Sequence, residues 1–168
     1  MNTALSVGGL GIGLGVLVWY LLRWWNAQKT VKTGKDWRSL TPLASGIILG
    51  ILAASCAGGL LGTVAGWVRN LSNMAGDKVI SGATGTATQA VGTAGVPNLT
   101  PGGAIIVLAA FVSLFALWKK VKDTSRKPLV FGSVAGATVG MSPGIAGTLA
   151  LALIPLVNEA GNSLLGII

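Results

Sequence analysis

Of 168 residues, 52% are hydrophobic and 10% charged, with a formal net charge of +8; soluble domains carry about 25% charged residues. That balance excludes an ordinary soluble domain, and the 26 glycines sit within long runs of Leu, Ile, Val and Ala that a disordered chain lacks. A single cysteine, Cys56, and no histidine exclude a disulfide framework, a Cys/His metal site and imidazole acid-base chemistry.

In chain order, the first apolar run covers 4–22. A secretory signal places basic residues before its apolar core and a small-residue cleavage site after it, but Met1-Asn2-Thr3 precede this run and Leu22-Arg23-Trp24-Trp25 follow it. It reads as a retained span with its N-terminus outside. A basic loop, 23–38, carries Arg23, Lys29, Lys32, Lys35 and Arg38 against Asp36. The second span, 42–68, leads into a connection at 69–103 rich in Gly, Ala and Thr. That connection reads as partly helical at its start, where Leu71, Met74, Ala75, Val79, Ala83 and Ala87 recur at helical spacing, and as a turn at Pro97 and Pro101-Gly102-Gly103. The sequons at Asn70 and Asn98 are read as chance matches. The third span is 104–118. A second basic loop, 119–127, carries Lys119, Lys120, Lys122, Arg126 and Lys127 against Asp123, and the fourth span is 128–156, with a break expected at Pro143.

The expected fold is therefore all-α: an integral membrane protein with four transmembrane helices. It divides into a hairpin at 1–68, an extracytoplasmic connection at 69–103 and a second hairpin at 104–168. The positive-inside rule puts both basic loops in the cytoplasm and both termini outside, and Trp19, Tyr20, Trp24, Trp25, Trp37 and Trp118 near the inner boundary and Trp67 near the outer one read as interface anchors.

Spans two and four align at an offset of 86. Pro42-Leu43 with Gly46, Gly50, Ala54 and Gly58 matches Pro128-Leu129 with Gly132, Gly136, Gly140 and Gly144. Residues four apart share a helical face, so these positions, extended through Gly62 and Gly66, form nearly bulk-free tracks suited to close helix packing in lipid. The match reads as a parallel internal duplication, and the number of small-residue faces predicts homo-oligomerisation. No acidic or basic residue falls inside a predicted span, which argues against a proton-coupled carrier. The hydroxyls Ser45, Ser55, Thr63, Thr138, Ser142 and Thr148 either bond back to their own helices or line a modest polar path. The basic loops suit anionic lipid; the interleaved Trp24, Trp25 and Trp37 also suit a nucleic acid or an acidic partner protein.

A small, basic, glycine-rich polytopic chain of this layout resembles membrane proteins of phages and conjugative elements, including holins and plasmid spread proteins. A span, the basic loop from Arg23 to Arg38 and the small-residue span from Pro42 also resemble the hairpin of conjugative pilins, repeated at 104–156; the long connection at 69–103 departs from that pattern. The resemblance implies a structural or pore-type component, non-enzymatic and without cofactor or metal, in a bacterial or virion membrane. Two alternatives stand beside it: a docking subunit whose basic loops recruit a partner such as a DNA-transfer motor, and a channel or carrier for small neutral solutes.

Overall fold

The computed structural model describes residues 4–28, 37–92 and 95–166. Lys29, Lys32 and Lys35 of the first basic loop lie outside the described residues. Within them are six α-helices: α1 (Val7–Gln28), α2 (Thr41–Ala54), α3 (Gly59–Thr84), α4 (Pro101–Ala116), α5 (Asp123–Val139) and α6 (Ile145–Leu165). A two-residue strand β1 (Leu5–Ser6) pairs antiparallel with β2 (Ala90–Val91), tying the stretch that follows α3 to the start of α1.

Three helical segments are long and apolar enough to cross a membrane: Val7–Gln28, Trp37–Ala54 and Gly147–Leu165. Helix α4 is equally apolar but shorter, and its 16 residues rise about 24 Å against a hydrocarbon core of about 30 Å. Large apolar side chains stand exposed on every long helix, among them Leu22, Leu60, Trp67, Phe115 and Leu156.

The second expected span, 42–68, is not one helix. It breaks at residues 55–58, where Ser55 turns its hydroxyl back to the Ile51 carbonyl and Gly59 adopts φ 71°, a left-handed conformation that glycine enters without a Cβ clash. Helix α3 then runs through the expected boundary at 68/69 and on to Thr84, where Gly85 at φ 69° stops it by donating its N–H to the Ser81 carbonyl. The break expected near Pro143 is present: α5 ends at Val139, and α6 restarts after Gly144 at φ 106°.

The centre of the fold is the contact between α2 and α5. Gly46 lies against Leu129 and Ser133, and Gly50 against Ser133 and Ala137, so partners advance together along the chain and the two helices run parallel. Around this seam α1 packs against α3, and α4 against α6. One buried cluster, Ile51, Leu52, Val107, Ala150 and Ile154, lies on the α4/α6 side; a second, Ala53, Ala54, Ala65, Ala137 and Met141, lies on the side of α3.

Candidate functional site

The seam places four of the expected packing glycines in one reciprocal arrangement. A Cβ on Gly46 would collide with the Leu129 carbonyl oxygen, and one on Gly132 with the Leu43 carbonyl oxygen; Gly50 abuts the Ser133 oxygen and Gly136 the Ile47 oxygen. Each contact maps onto another when 86 is added to or subtracted from its residue numbers. Only glycine lets two backbones approach this closely, and the contact is dispersion between main chains rather than between side chains. Gly140 meets the Ile51 side chain, and Ala54 is buried beside it in sequence register.

The remaining track residues do not extend the seam. Gly58 and Gly66 have nothing within reach of a Cβ, Gly62 meets only the Cys56 segment of its own turn, and Gly144 sits at the positive-φ start of α6. The track ends because the helix that would continue it ends at Ala54.

Two matching hydrogen-bond clasps close one end of each helix pair, at the starts of α1 and α4, and sequence reasoning missed both. At the start of α1, Ser6 donates its N–H and its hydroxyl to Asn73 Oδ1 at 3.0 and 3.1 Å. Asn73 Nδ2 donates to the Ala4 carbonyl at 2.9 Å, and the Gly9 N–H donates to Ser6 Oγ at 3.0 Å. At the start of α4, Thr100 donates its N–H and hydroxyl to Asn158 Oδ1 at 2.8 and 3.2 Å. Asn158 Nδ2 donates to the Asn98 carbonyl at 3.4 Å, and the Gly103 N–H donates to Thr100 Oγ1 at 3.2 Å. Beneath each clasp two glycines touch, Gly8 on Gly76 and Gly102 on Gly161. The signal was present as two short repeats: Leu5-Ser6-x-Gly8-Gly9 returns as Leu99-Thr100-x-Gly102-Gly103 at an offset of 94, and Asn73-x-Ala75-Gly76-Asp77 as Asn158-x-Ala160-Gly161-Asn162 at 85.

The halves differ most at one buried position. Arg69 on α3 is 4% exposed, while its counterpart under the offset of 85 on α6 is Ile154, in the apolar core. Arg69 was expected outside, in the polar connection; the unforeseen extent of α3 carries it against the end of α2. There Nη2 donates to the Ala54 carbonyl at 3.5 Å, while Nε has no partner. A cation at this point meets the carbonyls left open at a helix C-terminus. On the opposite side, Asp77 Oδ1 is buried without a partner beside Gly8, near the first amides of α1.

The hydroxyls inside the bundle bond to their own helices: Ser55 to Ile51, Thr138 to Val134 and Ala135, and Ser142 to Val139. Ser45, Thr63 and Ser133 do the same. Of the expected anchors, Trp24 is buried, donating Nε1–H to Ser39 Oγ at 2.6 Å and stacking near Trp37 and Trp25. It braces α1 against the turn before α2. Trp19 meets Phe131 edge-on, with the Arg23 guanidinium over the Trp19 ring, and Trp67 is exposed.

In the second basic loop, Lys119, Lys120, Lys122 and Lys127 are exposed. Arg126 is held by Asp123 at 2.6 Å and by the carbonyls of Trp118 and Lys119. Because α2 and α5 are parallel, the segments that precede them, 37–40 and 118–122, lie at the same end of the bundle. An apolar cavity of about 280 Å³ opens between α3, α4 and α5. No protein-family model, curated protein or solved structure matches this chain.

Proposed function

We propose that the chain is a non-enzymatic integral membrane protein, a self-associating structural component of a membrane assembly of the kind found in bacteria, phages or conjugative elements, with both basic connections on the inner face. One observation carries the reading: large apolar side chains cover the outside of the bundle, while its internal hydroxyls are bonded back to their own helix carbonyls. An apolar exterior on this scale needs lipid or further copies to cover it, and among the described residues the hydroxyls that could have lined a polar path are turned back to their own helices. A pore, in such an assembly, runs between copies and not through one chain. This arrangement disfavours the neutral-solute channel.

The same-end placement of the two basic segments supports their common inner location, and the exposed Lys119, Lys120, Lys122 and Lys127 support the second reading, a docking subunit for an acidic or nucleic-acid partner. The mass of the full-length protein in nanodiscs, by light scattering or native mass spectrometry, tests the first reading. A defined multimer is expected; a monomer at all protein-to-lipid ratios overturns self-association and leaves docking as the role to test. Neutralising Lys119, Lys120 and Lys122 separates the two, since only docking predicts lost recruitment with unchanged mass.

A further inference from the structure

The cavity between α3, α4 and α5 is lined almost wholly by apolar groups, among them Ala65, Phe111, Phe115, Val130, Ser133 and Ala137. Its lining differs from the corresponding residues of the other half. Under the offset of 86, Ser133 and Ala137 on α5 correspond to Ile47 and Ile51 on α2, so α2 carries branched side chains where α5 carries the small ones that leave the cavity open. The aromatic residue at the mouth differs likewise: Trp24 is buried against Ser39, while its counterpart at an offset of 94, Trp118, lines the cavity.

Trp118 opens the second basic connection, and the charges stand around it. Lys119 and Lys120 follow it directly and are exposed; Lys127 precedes the lining residue Val130 by three positions, which places both on one face of α5. Arg126 cannot compete for a ligand on equal terms, being engaged by Asp123 and two carbonyls, but its guanidinium lies 5.9 Å from the centre of the Trp118 ring and fixes that ring at the mouth.

We propose that this groove is a binding site for an anionic phospholipid, with one acyl chain between α3, α4 and α5 and the headgroup phosphate held by the ammonium groups of Lys119, Lys120 and Lys127. An apolar slot takes the chain, and three exposed cations at its basic end take the phosphate; basic pockets between membrane helices recognise such headgroups by this combination. The proposal rests on the membrane reading above.

The test uses full-length protein in nanodiscs of phosphatidylcholine with increasing phosphatidylglycerol, the chains of one lipid or the other brominated so that contact quenches tryptophan. The Trp118 share is the difference between the wild type and Trp118→Phe. Brominated phosphatidylglycerol is expected to quench that share saturably at low mole fraction, and brominated phosphatidylcholine is not. Joint replacement Lys119→Gln, Lys120→Gln and Lys127→Gln should weaken the preference by about fivefold per lysine, on the order of 100-fold in all. Ser133→Ile with Ala137→Ile, which gives α5 the residues of α2, should abolish the quenching; should that variant fail to fold, the lysine variant, which alters only exposed side chains, still decides. Equal quenching by both lipids, a preference that survives the lysine changes, or occupation of the groove by a second copy with no quenching would each overturn the site while leaving the membrane reading intact. Failure to incorporate into the discs would overturn the membrane reading and the site with it.

Discussion

Arg69 shows how one residue can depart from its surroundings without disturbing them. Its side chain is buried, with one long hydrogen bond to the Ala54 carbonyl and an unpartnered Nε. Desolvating a cation at such a place costs several kcal/mol, and a single neutral acceptor returns only part of it. Arg69→Met, which keeps the length and removes the charge, is therefore expected to raise stability by about 1 kcal/mol or more, read as a higher thermal midpoint in detergent. A loss of about 2 kcal/mol would instead show that the bond to the α2 terminus outweighs desolvation. Residues of this kind resist sequence reading. Composition places an arginine beyond Val68 in a polar loop, and only the course of α3, set by a glycine turn at 58–59, turns it inward.

Among the elements, the α2–α5 seam was legible because its information is periodic: glycine every fourth residue on two segments at a constant offset. The clasps were not, because each joins a turn to a helix far along the chain, and Ser6 and Asn73 share no local pattern. Their repeats also fall at 94 and 85, so a search at 86 passes over them. The break of α2 from α3 escaped notice for a related reason, since Gly58, Gly62 and Gly66 continue the track in sequence after the helix has stopped. The seam gives a sharp contrast between equal substitutions. Gly50→Leu or Gly136→Leu drives a side chain into a main-chain carbonyl and should cost at least about 1–3 kcal/mol of overpacking strain, with loss of the folded bundle in thermal melts. Gly15→Leu and Gly66→Leu face open space and should leave the melt unchanged within about 0.5 kcal/mol. Equal effects at all four positions would contradict the seam.

At the scale of the molecule, two helix pairs, α1 with α3 and α4 with α6, stand on either side of two parallel helices that share a glycine face. Three segments qualify as spans by length and apolarity, and α4 is shorter. The orientation is specific enough to predict: with cysteine placed singly at Lys122 or Arg38, and separately at Gly85 or Glu159, in a Cys56→Ala background, an impermeant maleimide should label the first pair only from the inner side and the second only from the outer. Labelling of Lys122 and Arg38 positions from opposite sides would break the parallel arrangement. The all-helical, membrane-type character follows from composition and apolar run length, and the break near Pro143 from a proline; the break at 55–58 and the end of α3 depend on Gly59 and Gly85, whose φ angles no pattern announces.

The reciprocity of the seam has a further meaning. Gly46 meets Leu129 while Gly132 meets Leu43, which is the contact rule of an isologous two-fold interface, here enclosed within one polypeptide. Two identical chains meeting by that rule must carry every feature twice, so a buried arginine would face an identical buried arginine, and a groove would be matched by a second groove. Enclosure in a single chain lifts that obligation. Arg69 can stand opposite Ile154, and the slot beside Ala137 opposite Ile51, so that a frame with two-fold symmetry presents a surface with a distinct left and right.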